Sequence, residues 1–196
     1  MRKLFLTLLV SVYLIGFSTA QSDSYAMMQK LSPEQRGEAV KFGKRSVKTE
    51  VRELIKEWSV DNGKNGFAFI ITEYLALAFA ARQAALQSSE LNNFDIEDTL
   101  AKSSGKLVFQ VSLLGNTDSF SKDHTAVLRI GDKTFPSTYW NNPPGEASDD
   151  GKTFEATSDY YFPSEGIDPN SVVLLVVQDK DGKEIAKFSF NLSKMR

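Results

Sequence analysis

His124 is the only histidine of this 196-residue chain, and there is no cysteine. Thiol nucleophiles, zinc-thiolate sites and any metal site built on two imidazoles are thereby excluded. A Ser-His-Asp set would have to use His124, yet no serine stands in a Gly-x-Ser-x-Gly context. Flanked by Asp123 and Thr125 at the start of a strand pattern, His124 reads as a surface turn residue. Ser103 and Lys106 have the Ser-x-x-Lys spacing of penicillin-recognising enzymes, and Ser158-Asp159-Tyr160 imitates their second motif. That chemistry needs a serine that opens a helix, whereas Ser103 closes one. The remaining reactive groups are the carboxylates of Asp149, Asp150, Glu155 and Asp159. Two carboxylates can hydrolyse a glycoside when they face each other across ~5–10 Å, so a carboxylate-dependent hydrolase is the catalytic alternative. Asp149 and Asp150 would give calcium only part of the roughly six oxygens it takes, and Asp179-Lys180-Asp181-Gly182 lacks the distal glutamate of a calcium loop. It reads as a hairpin turn. No catalytic, metal or cofactor residue is assigned, and no cofactor is expected.

The groups suited to binding lie around the long 141–151 loop, which is rich in Pro, Asn and Asp. Tyr139 and Trp140 precede it, and Tyr160 and Tyr161 follow it. Neighbours along a strand point to opposite faces, so at least one ring of each pair belongs at a surface or an interface. Tyr139, Trp140, Asp149, Asp150, Tyr160 and Tyr161 are therefore the candidate binding surface. Amphipathic rings of this kind contact protein partners or sugars. A carbohydrate-binding module requires Tyr139, Trp140 and Tyr161 to be coplanar and exposed.

Three segments must position these residues. Residues 1–20 have the form of a secretory signal peptide: Arg2 and Lys3, an apolar run over 4–17, then Ser18-Thr19-Ala20 before a cut at Gln21. The run is shorter than the ~20 residues a bilayer span requires, and no cysteine follows it to carry a lipid. No membrane span is expected after cleavage. Residues 21–105 read as a helical region. Ser32-Pro33 opens an amphipathic helix over 33–58, with Val40, Val47, Val51, Leu54, Ile55 and Trp58 on one face. A second helix over 67–87 is apolar nearly all round. With 61–66 as its linker it forms an antiparallel hairpin, and a short helix over 95–102 follows as connector. The hairpin must pack on the second half or on another copy of the chain, which makes a homo-oligomer an expectation.

From Lys106 the period becomes two. Strands are expected over 107–113, 125–130, 153–162, 172–177 and 185–192, with a tight turn at Asp181-Gly182. The pattern over 106–196 resembles immunoglobulin-like sandwiches, without the cysteine pair of antibody domains. The expected fold class is α+β: an N-terminal helical hairpin followed by an antiparallel β-sandwich of immunoglobulin-like type. With 23 basic against 25 acidic residues, the chain is a poor match for nucleic acid. A signal peptide without cysteines favours a bacterial periplasm or exterior over a eukaryotic secretory route, although Asn191-Leu192-Ser193 has the form of a glycosylation sequon. The expected role is an exported, non-catalytic binding or interaction protein of the bacterial envelope, with a protein or envelope component as partner.

Overall fold

A computed structural model describes residues 30–148 and 151–195. The signal segment, and Asp149 and Asp150, lie outside the described residues. The chain is α+β, with four α-helices and two antiparallel sheets among the described residues.

Helix α1 (Pro33–Arg45) starts where the sequence says it should. Ser32 and Gln35 form a reciprocal capping box, Gln35 N donating to Ser32 Oγ at 3.3 Å and Ser32 N to Gln35 Oε1 at 2.7 Å. It does not run on to Trp58. The Ser46 hydroxyl donates back to the Phe42 carbonyl at 2.7 Å. Arg82 then takes the Ser46 and Thr49 carbonyls at 3.1 and 3.0 Å, acceptors that a continuous helix would use itself. The rest of the expected helix becomes a one-turn α2 (Val51–Leu54) flanked by 3₁₀ turns.

The second expected helix is a larger correction. Residues Phe67–Ile71 form strand β2, hairpin-paired with β1 (Ser59–Asp61), and helix α3 (Glu73–Leu86) begins only after Thr72 caps it, Leu75 N donating to Thr72 Oγ1 at 3.1 Å. A continuous apolar run has no period that separates a strand buried on both faces from a buried helix. Helices α1 and α3 do pack together, but a β-hairpin joins them instead of a turn. Gly43 allows the approach: a Cβ there would collide with the Ala78 carbonyl and lie 3.0 Å from the Ala81 methyl. Trp58 stacks on Tyr74 at 6.0 Å, and Phe42 tilts against both. Tyr74, Leu75, Leu77, Ala78 and Ala81 are buried within the chain, so the apolar demand that pointed to a second copy is met internally. Helix α4 (Asn93–Ser103), with Asn92 and Asp95 as its capping box, leads into the remaining strands.

These are β3 (Lys106–Gly115), β4 (Thr125–Ile130), β5 (Lys133–Pro136), β6 (Tyr139–Asn141), β7 (Glu146–Ala147), β8 (Phe154–Pro163), β9 (Val172–Gln178) and β10 (Glu184–Asn191). The large sheet has the order β1-β2-β3-β8-β6, with β7 also on β8, and the small sheet β10-β9-β4-β5. Strands β1 and β2, from the region expected to be helical, thus share a sheet with β3. The chain changes sheets at Ser137-Thr138: Ser137 N donates to Ala126 O at 2.9 Å and Thr138 N to Tyr161 O at 2.8 Å. Phe109 of the large sheet meets Phe190 of the small one at 5.1 Å and Phe162 at 5.7 Å. One buried cluster runs from Phe109, Leu175 and Phe188 through Ile70 to Trp58 and Leu75. Each such side chain contributes roughly 1.5–3 kcal/mol on burial.

Candidate functional site

Strand parity splits the aromatic pairs. Along β8, Ala156, Ser158, Tyr160 and Phe162 are buried, while Thr157, Asp159 and Tyr161 take the other face. Tyr160 is core. Burial pushes its phenol up to about 12, the neighbouring Ser158 side chain offsetting a part, and the hydroxyl is buried without a hydrogen bond of ordinary geometry. Trp140 stands opposite Tyr160, on the inner side, but at the sheet edge it keeps 42 % of its surface exposed. Tyr139 and Tyr161 are register partners on the outer face, centroids 5.2 Å apart and planes at 59°, with Tyr139 59 % exposed. The Tyr161 phenol is raised by partial burial, then by the charge of Asp159 and by Tyr139, so it stays a neutral donor and acceptor.

Register builds the outer face outward from this pair. Tyr139, Tyr161, Val108 and Ile71 form one row across four strands. The next row holds Asn141, Asp159, Gln110 and Phe69, with Gln110 Nε2 donating to Asp159 Oδ1 at 2.9 Å. In the third, the Ser112 and Thr157 hydroxyls bond at 2.8 Å beside Phe67, over whose ring the Arg52 guanidinium sits at 4.7 Å. Gln110 and Ser112 were missed in the sequence. Their signal is the polar parity of β3, where they alternate with Phe109 and Val111.

Edges of both sheets carry features that discourage further strands. Strand β6 has three residues and runs into Pro143-Pro144, β5 ends in Pro136, and the Lys187 carbonyl on β10 accepts Asn62 Nδ2 at 2.7 Å.

The other candidates find ordinary places. Glu155 and Asp159 point to one face of β8 but lie four residues apart, about 13 Å along a strand and beyond the separation two-carboxylate hydrolysis uses. Glu155 instead stands opposite Glu146 beside a cleft of about 500 Å³ under Pro143 and Pro144. Tyr139, Trp140 and Tyr161 do not form a coplanar platform, because Trp140 faces the other way and the two tyrosines are tilted. The Asp179 carboxylate caps its own hairpin, accepting from Asp181 N at 3.0 Å and Lys183 N at 2.9 Å. Ser103 closes α4, donating to the Thr99 carbonyl at 2.9 Å. His124 is not a surface turn residue: it is 8 % exposed, its ring edge-on to Phe120 at 5.7 Å. Burial depresses its pKa, against an upward pull from Asp179 and Asp123. Among the described residues no three His, Asp or Glu side chains gather in a metal-holding group, and no helix is long and apolar enough to cross a membrane.

No protein-family model and no curated protein matches the sequence. Among solved structures, the chain is similar to a protein of unknown function from Burkholderia pseudomallei at 10 % identity and a TM-score of 0.48, over 85 % of this chain and 95 % of that one. It is also similar to the archaellum periplasmic stator protein FlaG from Sulfolobus acidocaldarius at 14 % identity and a TM-score of 0.32, over 45 % of this chain and 88 % of that one. The FlaF and FlaG stator complex of the same organism aligns at 13 % identity and a TM-score of 0.29, over 44 % of this chain and 77 % of that one.

Proposed function

We propose that this chain is an exported, non-catalytic binding protein of the bacterial envelope that recognises a protein partner through the outer face of its large sheet. The observation that carries the reading is the Tyr139–Tyr161 pair, an exposed edge-strand ring against a half-buried one, beside the Gln110–Asp159 and Ser112–Thr157 rungs. Rings with polar tips next to hydrogen-bonding groups are the composition of a protein interface. The short β6 edge, followed by Pro143-Pro144, favours docking on the face over strand addition there.

The strand order supports an immunoglobulin-like assignment. Strands β2-β3-β8-β6 follow the order A-B-E-D, and β10-β9-β4-β5 the order G-F-C-C′. On this assignment strand A is β2.

A photo-crosslinking amino acid placed at Tyr139, in the organism that encodes the chain, tests the function. The expected result is one discrete protein adduct, lost with Tyr161→Ala and absent when the crosslinker replaces Lys133. Equal adducts from both positions, or none from Tyr139, would sink the reading. Mass measurement of the mature N-terminus tests export, with a start at Gln21 expected.

A further inference from the structure

A second site, away from the Tyr139–Tyr161 pair, lies where the β1–β2 turn, the end of β3, the 116–124 segment and the β9–β10 hairpin meet. A cleft of about 460 Å³ opens there, in the range of small-molecule sites. Its walls are held by two close approaches. Gly66, at φ +107°, presses the turn onto β3 so tightly that a Cβ would stand 2.5 Å from Leu113 Cδ2 and 2.9 Å from the Ser112 carbonyl oxygen. Gly115 makes room for the Phe120 ring, which a Cβ would strike.

The lining joins two kinds of group. Leu114 and Ile185, 52 % and 40 % exposed, face the cleft with Leu113 and Phe120. Lys64 is the only charged residue that lines it, and its ammonium has no ion pair among the described residues. His124 also lines the cleft, more than nine-tenths buried, its Nδ1 without a hydrogen-bond partner. A buried polar atom left unpaired in a native structure calls for a partner.

We infer that this cleft binds a small carboxylic acid with an apolar body, the aliphatic and Phe120 walls taking the body, Lys64 the carboxylate, and His124 a hydrogen bond. One cation matches a monoanion. No acidic side chain lines the cleft to favour an amine, and a phosphate dianion would ask for more than one positive group.

Titration of the full mature chain with 3-phenylpropionate, followed by amide NMR, tests the inference against 3-phenylpropanamide and 3-phenylpropylamine. Saturable shifts are expected at Lys64, Asn65, Leu114, Thr117 and Ile185, with a change in the His124 ring nitrogens at saturation. The amide should bind up to about fivefold more weakly, the scale of one exposed ion pair. Lys64→Ala should reduce the acid to the amide's affinity, and Leu114→Asp should abolish binding of both; each replaces an exposed side chain, so the remaining spectrum should be unchanged. Unsaturating shifts, equal affinity for acid, amide and amine, shifts centred on Tyr139 and Tyr161, or indifference to Lys64→Ala would each overturn it. The crosslinking result at Tyr139 does not depend on this outcome.

Discussion

The Arg129 guanidinium reaches the Glu184 carboxylate at 2.6 Å across strand β9, and Lys187 joins the same carboxylate. Arg129 sits in the row of Leu174 and Glu184 in the row of Gln178, so their ion pair crosses the row between, which belongs to Val176. This explains a valine on the outer face of the small sheet that is nevertheless fully buried. The long side chains cover it with their stems.

Val176→Ala should therefore cost about 2 kcal/mol, as a core truncation would, despite its place on an outer face. Glu184 is held below the ordinary carboxylate range by Lys187 first and Arg129 second. With the folded pKa depressed, its stabilisation is present above the unfolded carboxylate value and is lost as pH falls through the folded one. Glu184→Gln should lower the urea midpoint at neutral pH by more than it does in acid, where the parent carboxylate is protonated as well. A midpoint shift of equal size at both pH values would contradict this account.

Two glycines of α1 should respond in opposite senses. Gly43→Ala forces α1 and α3 apart against the Ala78 backbone, and an overpacked contact of this kind costs about 1–3 kcal/mol. Gly37 has nothing within 4 Å of its missing Cβ, so Gly37→Ala should stabilise by about 0.5–1 kcal/mol through helix propensity. Thermal melts of the two variants make the comparison.

Tyr160→Phe removes a buried hydroxyl that makes no hydrogen bond of ordinary geometry and interacts only with the Ser158 side chain, so it should be neutral or stabilising by up to about 1 kcal/mol. Tyr160→Ala should cost about 3–5 kcal/mol. The raised phenol also has an alkaline consequence. Between the ordinary tyrosine value of 10.0 and about 12 the unfolded chain ionises first, so stability falls as pH rises through that window. Denaturant titrations at pH 9 and pH 11 should show a smaller loss in Tyr160→Phe than in the parent.

His124 controls the slope near neutrality, being the chain's only histidine. Its folded pKa is depressed, so as pH falls below the ordinary histidine value of 6.5 the unfolded chain takes up the proton first and stability declines. His124→Phe should flatten urea midpoints between about pH 7 and pH 5. An unchanged slope in the variant would assign the dependence elsewhere.

The sequence by itself determined whatever depends on local spacing. Ser32-Pro33 marks the start of α1. The alternation of Phe188 and Phe190 with polar residues marks β10, and strand parity requires Tyr160 and Tyr161 to take opposite faces, although which of them is core came only from the structure. The tertiary structure decided what depends on partners distant in the chain. Phe67 to Ile71 carry no period, and they become a strand because β3, some 40 residues on, supplies the second hydrogen-bonding edge while α3 turns away after Thr72. The first helix ends at Arg45, and Arg82, on another helix, takes the Ser46 and Thr49 carbonyls that its continuation would have used. Tyr139 meets Tyr161, and Arg129 closes over Val176, only once strand order and register are set. Local propensity acts over one turn or one pair of residues, whereas a site is made by groups that the fold alone brings within reach.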